Sequence, residues 1–370
     1  MTEILNENII NDLKNLLNDN NNVEEIKELI NKITLNKNKS KINDNYEPLL
    51  DPKKQRFHTF PIENMEIWNM YRKQKASFWV AEEIDFSQDL DDFKTLTKEE
   101  QHFLKRILAF FASSDGIVNF NLEKRFIDEI QNYEAKVTYD FQKMMENIHS
   151  EVYSLMLDSL VENQEEKNNL FNSIKTIPSI KILADWAFKW IESDKPFAYR
   201  VTAFAIVEGV FFSGAFAAIF WFKKYKNKGK NFLQGLTKSN EFIARDEGMH
   251  TDFACIIYKQ LNNKLSQNEI QNIIIDGVNV SKIFIDDALP YKLIGMNKEM
   301  MSDYIEYVAD RLVVDLGYKK IYNKQNPFKF MDTIGLTSKT NFFEMRPTEY
   351  SDPNVFNKSN KKELLISDNF

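Results

Sequence analysis

The sequence predicts an all-α protein built as one large helical bundle, and three observations carry that prediction. Only 10 Gly and 9 Pro punctuate 370 residues, which favours long helices over many short strands. Apolar residues recur at helical spacing, and no alternating apolar and polar run is long enough for a strand. Hydrophobic residues make up 43% and include 30 Phe, enough to fill a large interior.

Taken in order, residues 1–45 are Asn/Lys-rich and are expected to form a flexible extension. Val23, Ile26, Leu29, Ile30 and Ile33 keep helical spacing within it, so a short amphipathic helix is the other reading. Pro61 is expected to open a helix through Trp68 and Tyr71 to about Trp79. Thr97 and Glu100 form a capping box that starts a helix running to about Phe126. Another spans about Tyr133 to Val161, and one follows Pro178 through Trp186 and Trp190. Next come an apolar run from Val201 to Phe222, a basic loop to Lys230, and a helix over about Leu236 to Gln260. A helix near Glu269–Ile285 and one or two between Glu299 and Tyr322 complete the set. Residues 46–340 contain no repeat or Gly/Ser linker and are expected to form one helical domain, followed by a mobile tail over 341–370.

Composition excludes several classes. A net charge of −7 argues against nucleic acid as a partner. Cys255 is the sole cysteine, so no intramolecular disulfide can form and a reducing, cytoplasmic setting is expected. The N-terminus shows no apolar signal segment. The Val201–Phe222 run imitates a membrane span, but Glu208 inside it would cost roughly 3 kcal/mol near a bilayer centre. A buried core helix is expected there instead.

Histidine is rare, and three of the four have Glu three residues earlier: Glu99/His102, Glu146/His149 and Glu247/His250. Residues so spaced share a helix face, about 5–6 Å apart at Cβ. The first pair lies in the solvated opening turn after the capping box and is not expected to be a metal ligand. The other two lie mid-helix among apolar residues, where an unpaired carboxylate is costly. Asp115 and Glu208 are two more acids in apolar surroundings. Each alone reads equally as a buried acid satisfied by hydrogen bonds or an arginine. Together the six residues resemble the pattern of a ferritin-like bundle with a dinuclear metal site, which takes one acid from each of two helices and Glu-x-x-His from each of two others. Two divalent cations would neutralise the four carboxylates, as would two trivalent ions sharing an oxo bridge. The donor set suits iron or manganese better than zinc or calcium. Phe212, Phe216 and Ile243 should line the same cavity by helical spacing. Tyr153, seven residues past Glu146, faces the same way and suggests a redox-active tyrosine beside the metal.

Longer motifs carry a family resemblance from about Glu47 to Phe370. They are Ala76-Ser77-Phe78-Trp79-Val80-Ala81-Glu82-Glu83, Ser114-Asp115-Gly116-Ile117-Val118-Asn119, Met145-Glu146-Asn147-Ile148-His149-Ser150-Glu151, Val207-Glu208-Gly209-Val210-Phe211-Phe212-Ser213-Gly214 and Arg245-Asp246-Glu247-Gly248-Met249-His250, with Asn341-Phe342-Phe343-Glu344 and Glu349-Tyr350 later. The chain resembles the small, radical-generating subunit of class I ribonucleotide reductase, of the eukaryotic type.

The resemblance implies that Asp115, Glu146 and His149 bind one iron and Glu208, Glu247 and His250 the other, with Glu146 and Glu208 standing where the family's bridging carboxylates are found, Glu146 most consistently. Manganese is the alternative metal. It further implies that Tyr153 carries the radical and that Asp246 accepts a hydrogen bond from the far nitrogen of His149. Trp79 and Asp246 would form the inner end of a radical-transfer path, and Tyr350 the outer end. Implied partners are O2, a second copy of the chain, and a large subunit bound through the tail ending at Phe370. The large subunit would reduce ribonucleoside diphosphates with thiols, chemistry that one cysteine and no phosphate-cradling glycine loop could not supply here. Phe120, where a polar residue is common, and a less acidic tail depart from the family pattern. Two other readings are an iron oxidase or store on the same scaffold and a catalytically silent paralogue. The store needs neither Tyr153 nor the Trp79–Tyr350 path, and the paralogue would be expected to have lost ligands or the tyrosine.

Overall fold

A computed structural model describes residues 46–226 and 232–331. The extension 1–45, the tail 341–370, Tyr350 and Phe370 therefore lie outside the described residues. Among the described residues eight long helices carry the fold, and no strand is present beyond one isolated bridge, Leu293 with Met296.

Helix α1 is Met65–Ala76. Its start differs from the expectation: the Asn64 side chain accepts from the Ile67 N–H at 3.2 Å and caps the helix, so Pro61 precedes it. The helix also stops short of Trp79, ending where Ser77 Oγ donates back to the Lys73 carbonyl at 3.1 Å. Trp79 thus stands on an irregular segment, buried against the bundle.

Helix α2, Lys98–Asn121, begins at the Thr97 capping box, with both reciprocal bonds made. It runs through a π-helical turn, Leu122–Phe126, into Ile127–Glu129. Helix α3, Tyr133–Leu160, is capped by Asn132, whose side chain accepts from the Ala135 N–H at 2.9 Å. Helix α4 is Pro178–Ile191. Helix α5, Phe197–Lys226, is the apolar run, and 89% of its most apolar stretch is buried within the protein, as a core helix requires. Helices α6 (Gln234–Lys259), α7 (Gln267–Ala288) and α8 (Lys298–Asp315) follow.

Helix α6 has no cap of its own, because Leu233 offers no side-chain acceptor and sits in the left-handed region at φ 47°. Asp89 replaces it from across the fold, accepting from the Gly235 and Leu236 N–H groups at 3.0 and 2.7 Å. Asp92 takes the Leu233 N–H at 2.8 Å.

Helices α2, α3, α5 and α6 pack against one another around a contiguous buried core. Helix α1 covers α3 and α6, while α4, α7 and α8 form an outer layer over α2 and α5. The four inner helices bring the candidate residues to one place.

Candidate metal centre

Each inner helix delivers side chains inward: Asp115 from α2, Glu146 and His149 from α3, Glu208 from α5, and Glu247 and His250 from α6. All six are at most 2% exposed. Glu208 lies in a second π-helical turn, Val207–Phe211, which re-aims its side chain within an otherwise regular helix. Gly209 lets this turn approach α6, since a Cβ there would meet Thr251 Cγ2 at 2.8 Å.

The donor atoms converge in two groups whose members lie within 4.8 Å of one another: Asp115, Glu146 and His149, and Glu146, Glu208, Glu247 and His250. Glu146 belongs to both. Glu208 belongs to the second group alone, whereas Glu247 also reaches across, with Oε1 2.9 Å from His149 Nδ1. His250 Nδ1 lies 2.9 Å from Glu146 Oε1 and 3.0 Å from Glu247 Oε2.

These contacts leave the cluster short of partners. Both Asp115 oxygens, Glu146 Oε2, Glu208 Oε2, Glu247 Oε1 and His149 Nδ1 are buried without a hydrogen bond. The His149 Nδ1–Glu247 Oε1 approach is close but is not aligned as a hydrogen bond. Buried acceptors that converge on one space fit cations, since an unpaired buried carboxylate is otherwise too costly. Without cations the protonation pattern is distorted. Burial, and then the Glu146 charge, raise Asp115 well above the usual carboxylate range; burial and then Glu247 do the same to Glu208. Burial alone would lower His250, but the Glu146 and Glu247 carboxylates outweigh it and push it up to about 10.

Tyr153, fully buried, lies on α3 two turns beyond Glu146. Its hydroxyl has no hydrogen-bond partner, and burial followed by the Asp115 charge raises its pKa well above the ordinary value. Phe111 stacks on it with centroids 4.4 Å apart and planes 3° from parallel. Phe212 and Phe216, predicted to line the cavity, pack against Phe111 with ring centroids 5.8 and 5.1 Å away. Ile243 is fully buried.

Asp246 links the cluster to Trp79. Its Oδ2 accepts from Trp79 Nε1 at 2.7 Å and from His149 Nε2 at 3.2 Å, the far nitrogen anticipated from the sequence. A carboxylate can only accept, so His149 Nε2 carries a hydrogen, and Nδ1 is the nitrogen that faces the cluster and would ligate a cation on losing its proton. Trp79 also stacks near the His149 ring, at 6.0 Å and 23°. Glu99 and His102 stand apart from these groups: Glu99 is exposed and the His102 ring packs edge-on to Tyr291 at 6.2 Å.

The match of these four helices to a known group of proteins is direct. A family model described as "Ribonucleotide reductase, small chain" matches residues 56–327. The chain belongs to the ribonucleotide reductase small-chain family. The small chain of ribonucleoside-diphosphate reductase from vaccinia virus (strain Western Reserve) is 53% identical over 322 residues, 87% of this chain and 99% of the relative. The Neurospora crassa small chain is 53% identical over 319 residues, 86% of this chain and 77% of that one. Among solved structures, the Rnr4 homodimer of Saccharomyces cerevisiae superposes with a TM-score of 0.72 at 36% identity, covering 86% of this chain and 99% of that one. The dimanganese(II) NrdF of Streptococcus sanguinis, at 15% identity and a TM-score of 0.62, covers 76% of this chain and 99% of that one and shares the fold.

Four residues around the site have roles that the sequence alone does not assign. Phe111 is four residues before Asp115, and Gln142 is four before Glu146, so both share a ligand's helix face and could have been found. Tyr139, seven before Glu146, is a second buried phenol without a hydrogen-bond partner. Arg245 donates from Nε and one terminal nitrogen to Asp246 Oδ1 at 3.0 and 2.9 Å and to the Ser77 carbonyl at 2.7 Å, tying Asp246 to the segment that carries Trp79.

Proposed function

We propose that this chain is the radical-generating small subunit of a cytoplasmic ribonucleoside-diphosphate reductase. The observation that carries the reading is the pair of buried ligand groups sharing Glu146, in which Asp115, Glu146, His149, Glu208 and Glu247 each keep an atom without a hydrogen bond, with Tyr153 sealed beside them. Asp115, Glu146 and His149 would hold one iron, and Glu208, Glu247 and His250 the second, with manganese as the alternative metal. Bound there, a dinuclear centre would supply the oxidising power of O2 reduction.

The protein's own residues do the rest. Tyr153 is the side chain that would be oxidised there, losing one electron and its hydroxyl proton to that centre. A radical there survives because Phe111 covers its ring and water has no access to a 0% exposed side chain. Asp246 fixes the His149 tautomer through Nε2 and holds the Trp79 indole N–H on the same oxygen. That shared acceptor couples the cluster to an aromatic residue that can lose an electron without leaving a bare charge in the interior. Trp79 and Asp246 would begin the transfer path and Tyr350 would end it. The tail 341–370, ending at Phe370, would dock the large subunit that holds the nucleotide, and two copies of this chain would form the dimer.

Anaerobic Fe(II) loading followed by O2 tests the proposal by electron paramagnetic resonance. A tyrosyl signal is expected, with two iron ions per chain. The signal should be absent from Tyr153→Phe while its iron content is unchanged. No signal in the parent protein, or an undiminished one in the variant, overturns the assignment.

A further inference from the structure

We propose that Gln142 is a positioning residue that builds the second metal subsite by dictating which oxygen of Glu208 faces it. The inference rests on the dinuclear reading above and deepens it.

Gln142 is fully buried on α3, one turn before Glu146. Its single amide nitrogen donates to Glu208 Oε1 at 3.0 Å and, at 3.4 Å, to Glu146 Oε1. The first bond crosses from α3 to the π-helical turn of α5. It occupies Oε1 of Glu208 and leaves Oε2 buried with no hydrogen bond, 4.0 Å from His250 Nδ1. Glu208 therefore presents one oxygen to the second group and has the other spoken for.

The choice of an amide follows from charge. Two carboxylates from different helices are brought together here, and in a buried site their repulsion is weakly screened. An Arg or Lys would relieve it with a full positive charge, but would also cancel one of the four negative charges that two divalent cations need. Gln142 donates hydrogen bonds without changing that balance. Its own Oε1 is buried and unpartnered, a cost that a residue kept for packing alone would not carry. A glutamine lacking this task could be replaced by an apolar side chain with no penalty.

The asymmetry between the two groups makes the inference specific. Gln142 touches Glu208, found only in the second group, and Glu146, which is shared. It makes no bond to Asp115 or His149, which complete the first group. Removing the donor should loosen the second ion much more than the first. Outer partners of metal ligands typically change affinity by about 10–100-fold.

The test is anaerobic titration of the full-length metal-free chain with Mn(II), read by calorimetry and by electron paramagnetic resonance. The parent should bind two Mn(II) per chain and show a spin-coupled spectrum. Gln142→Met, of similar size but without a donor, should keep one tight site, weaken the other by about 10–100-fold, and show an uncoupled six-line signal at one equivalent. Gln142→Asn keeps a polar amide in the core but is too short to reach Glu208, and should lose the second ion in the same way. It guards against a Met variant that fails to fold. Two unchanged sites in either folded variant, or an equal loss at both sites, overturns the role of Gln142. Fewer than two Mn(II) in the parent instead overturns the dinuclear reading itself.

Discussion

Replacing Tyr153 with Phe should stabilise the metal-free protein and leave the iron-loaded, O2-treated protein without the proposed tyrosyl signal. The Tyr153 hydroxyl is fully buried and finds no hydrogen-bond partner. Keeping such a group out of water costs about 1–3 kcal/mol by mutational measures. Phe retains the ring, so the parallel stack on Phe111 at 4.4 Å survives. Deleting the oxygen leaves a void smaller than a methyl group, and its cost is a fraction of the gain. The net expectation is a gain of about 1–2 kcal/mol. In urea the midpoint should rise by a few tenths molar with the slope unchanged, since the area exposed on unfolding is the same. Tyr139→Phe is the matched control: that hydroxyl is equally buried and unpartnered, so its midpoint should rise too, but the tyrosyl signal should remain. A lower midpoint for Tyr153→Phe would show that the hydroxyl is held by a partner and that its isolation has been misread.

The pH dependence of metal binding follows from His250, pushed up to about 10 by Glu146 and Glu247 against the opposing effect of burial. A proton must leave before a metal can bind, so Mn(II) affinity should climb from pH 6 to 9 with proton release measurable in buffers of different ionisation enthalpy. The folded-state value lies above the ordinary 6.5, so this group's contribution to metal-free stability is complete below pH 6.5 and is lost as pH rises through about 10. Denaturant midpoints of the metal-free protein across that window check it; a flat profile would contradict the assignment. Asp89→Ala removes the acceptor for the Gly235 and Leu236 N–H groups and should cost about 1–2 kcal/mol, with hydrogen exchange quickening first in the opening turn of α6. Gly209→Ala pushes a Cβ to 2.8 Å from Thr251 Cγ2 and should cost about 1–3 kcal/mol, with Thr251→Ala restoring much of it in the double variant. Tyr350→Phe should keep the tyrosyl signal but abolish turnover with the large subunit; normal turnover removes Tyr350 from the path.

Much of the site was legible because its parts are local. Glu146, His149 and Tyr153 share one face of α3, and Glu247 and His250 one face of α6, through helix geometry alone. The Thr97 capping box was readable for the same reason, being complete within four residues. Gln142 and Phe111 carried the same periodic signal but lie among other core-type residues, so spacing did not separate them from packing. The cap on α6 was invisible, since Asp89 and Gly235 are 146 residues apart. The end of α1 was misplaced because Ser77 and Trp79 look helix-compatible, and the pull on Trp79 comes from Asp246, 167 residues away.

The sequence by itself determined the helices, the acids and imidazoles set in apolar surroundings, and the family to which they belong. The helices and the shared faces follow from composition and from a rotation of about 100° per residue within each local hydrogen-bonded helix; the family is carried by the longer motifs and the small-chain family match. Only the tertiary structure decided how the four helices meet. It placed Glu146 in both donor groups, gave Glu247 rather than Glu208 the reach across to His149, and occupied one Glu208 oxygen with Gln142. Such relations depend on ångström-scale offsets between helices, set by the π-helical turn at Glu208 and the close approach that Gly209 permits.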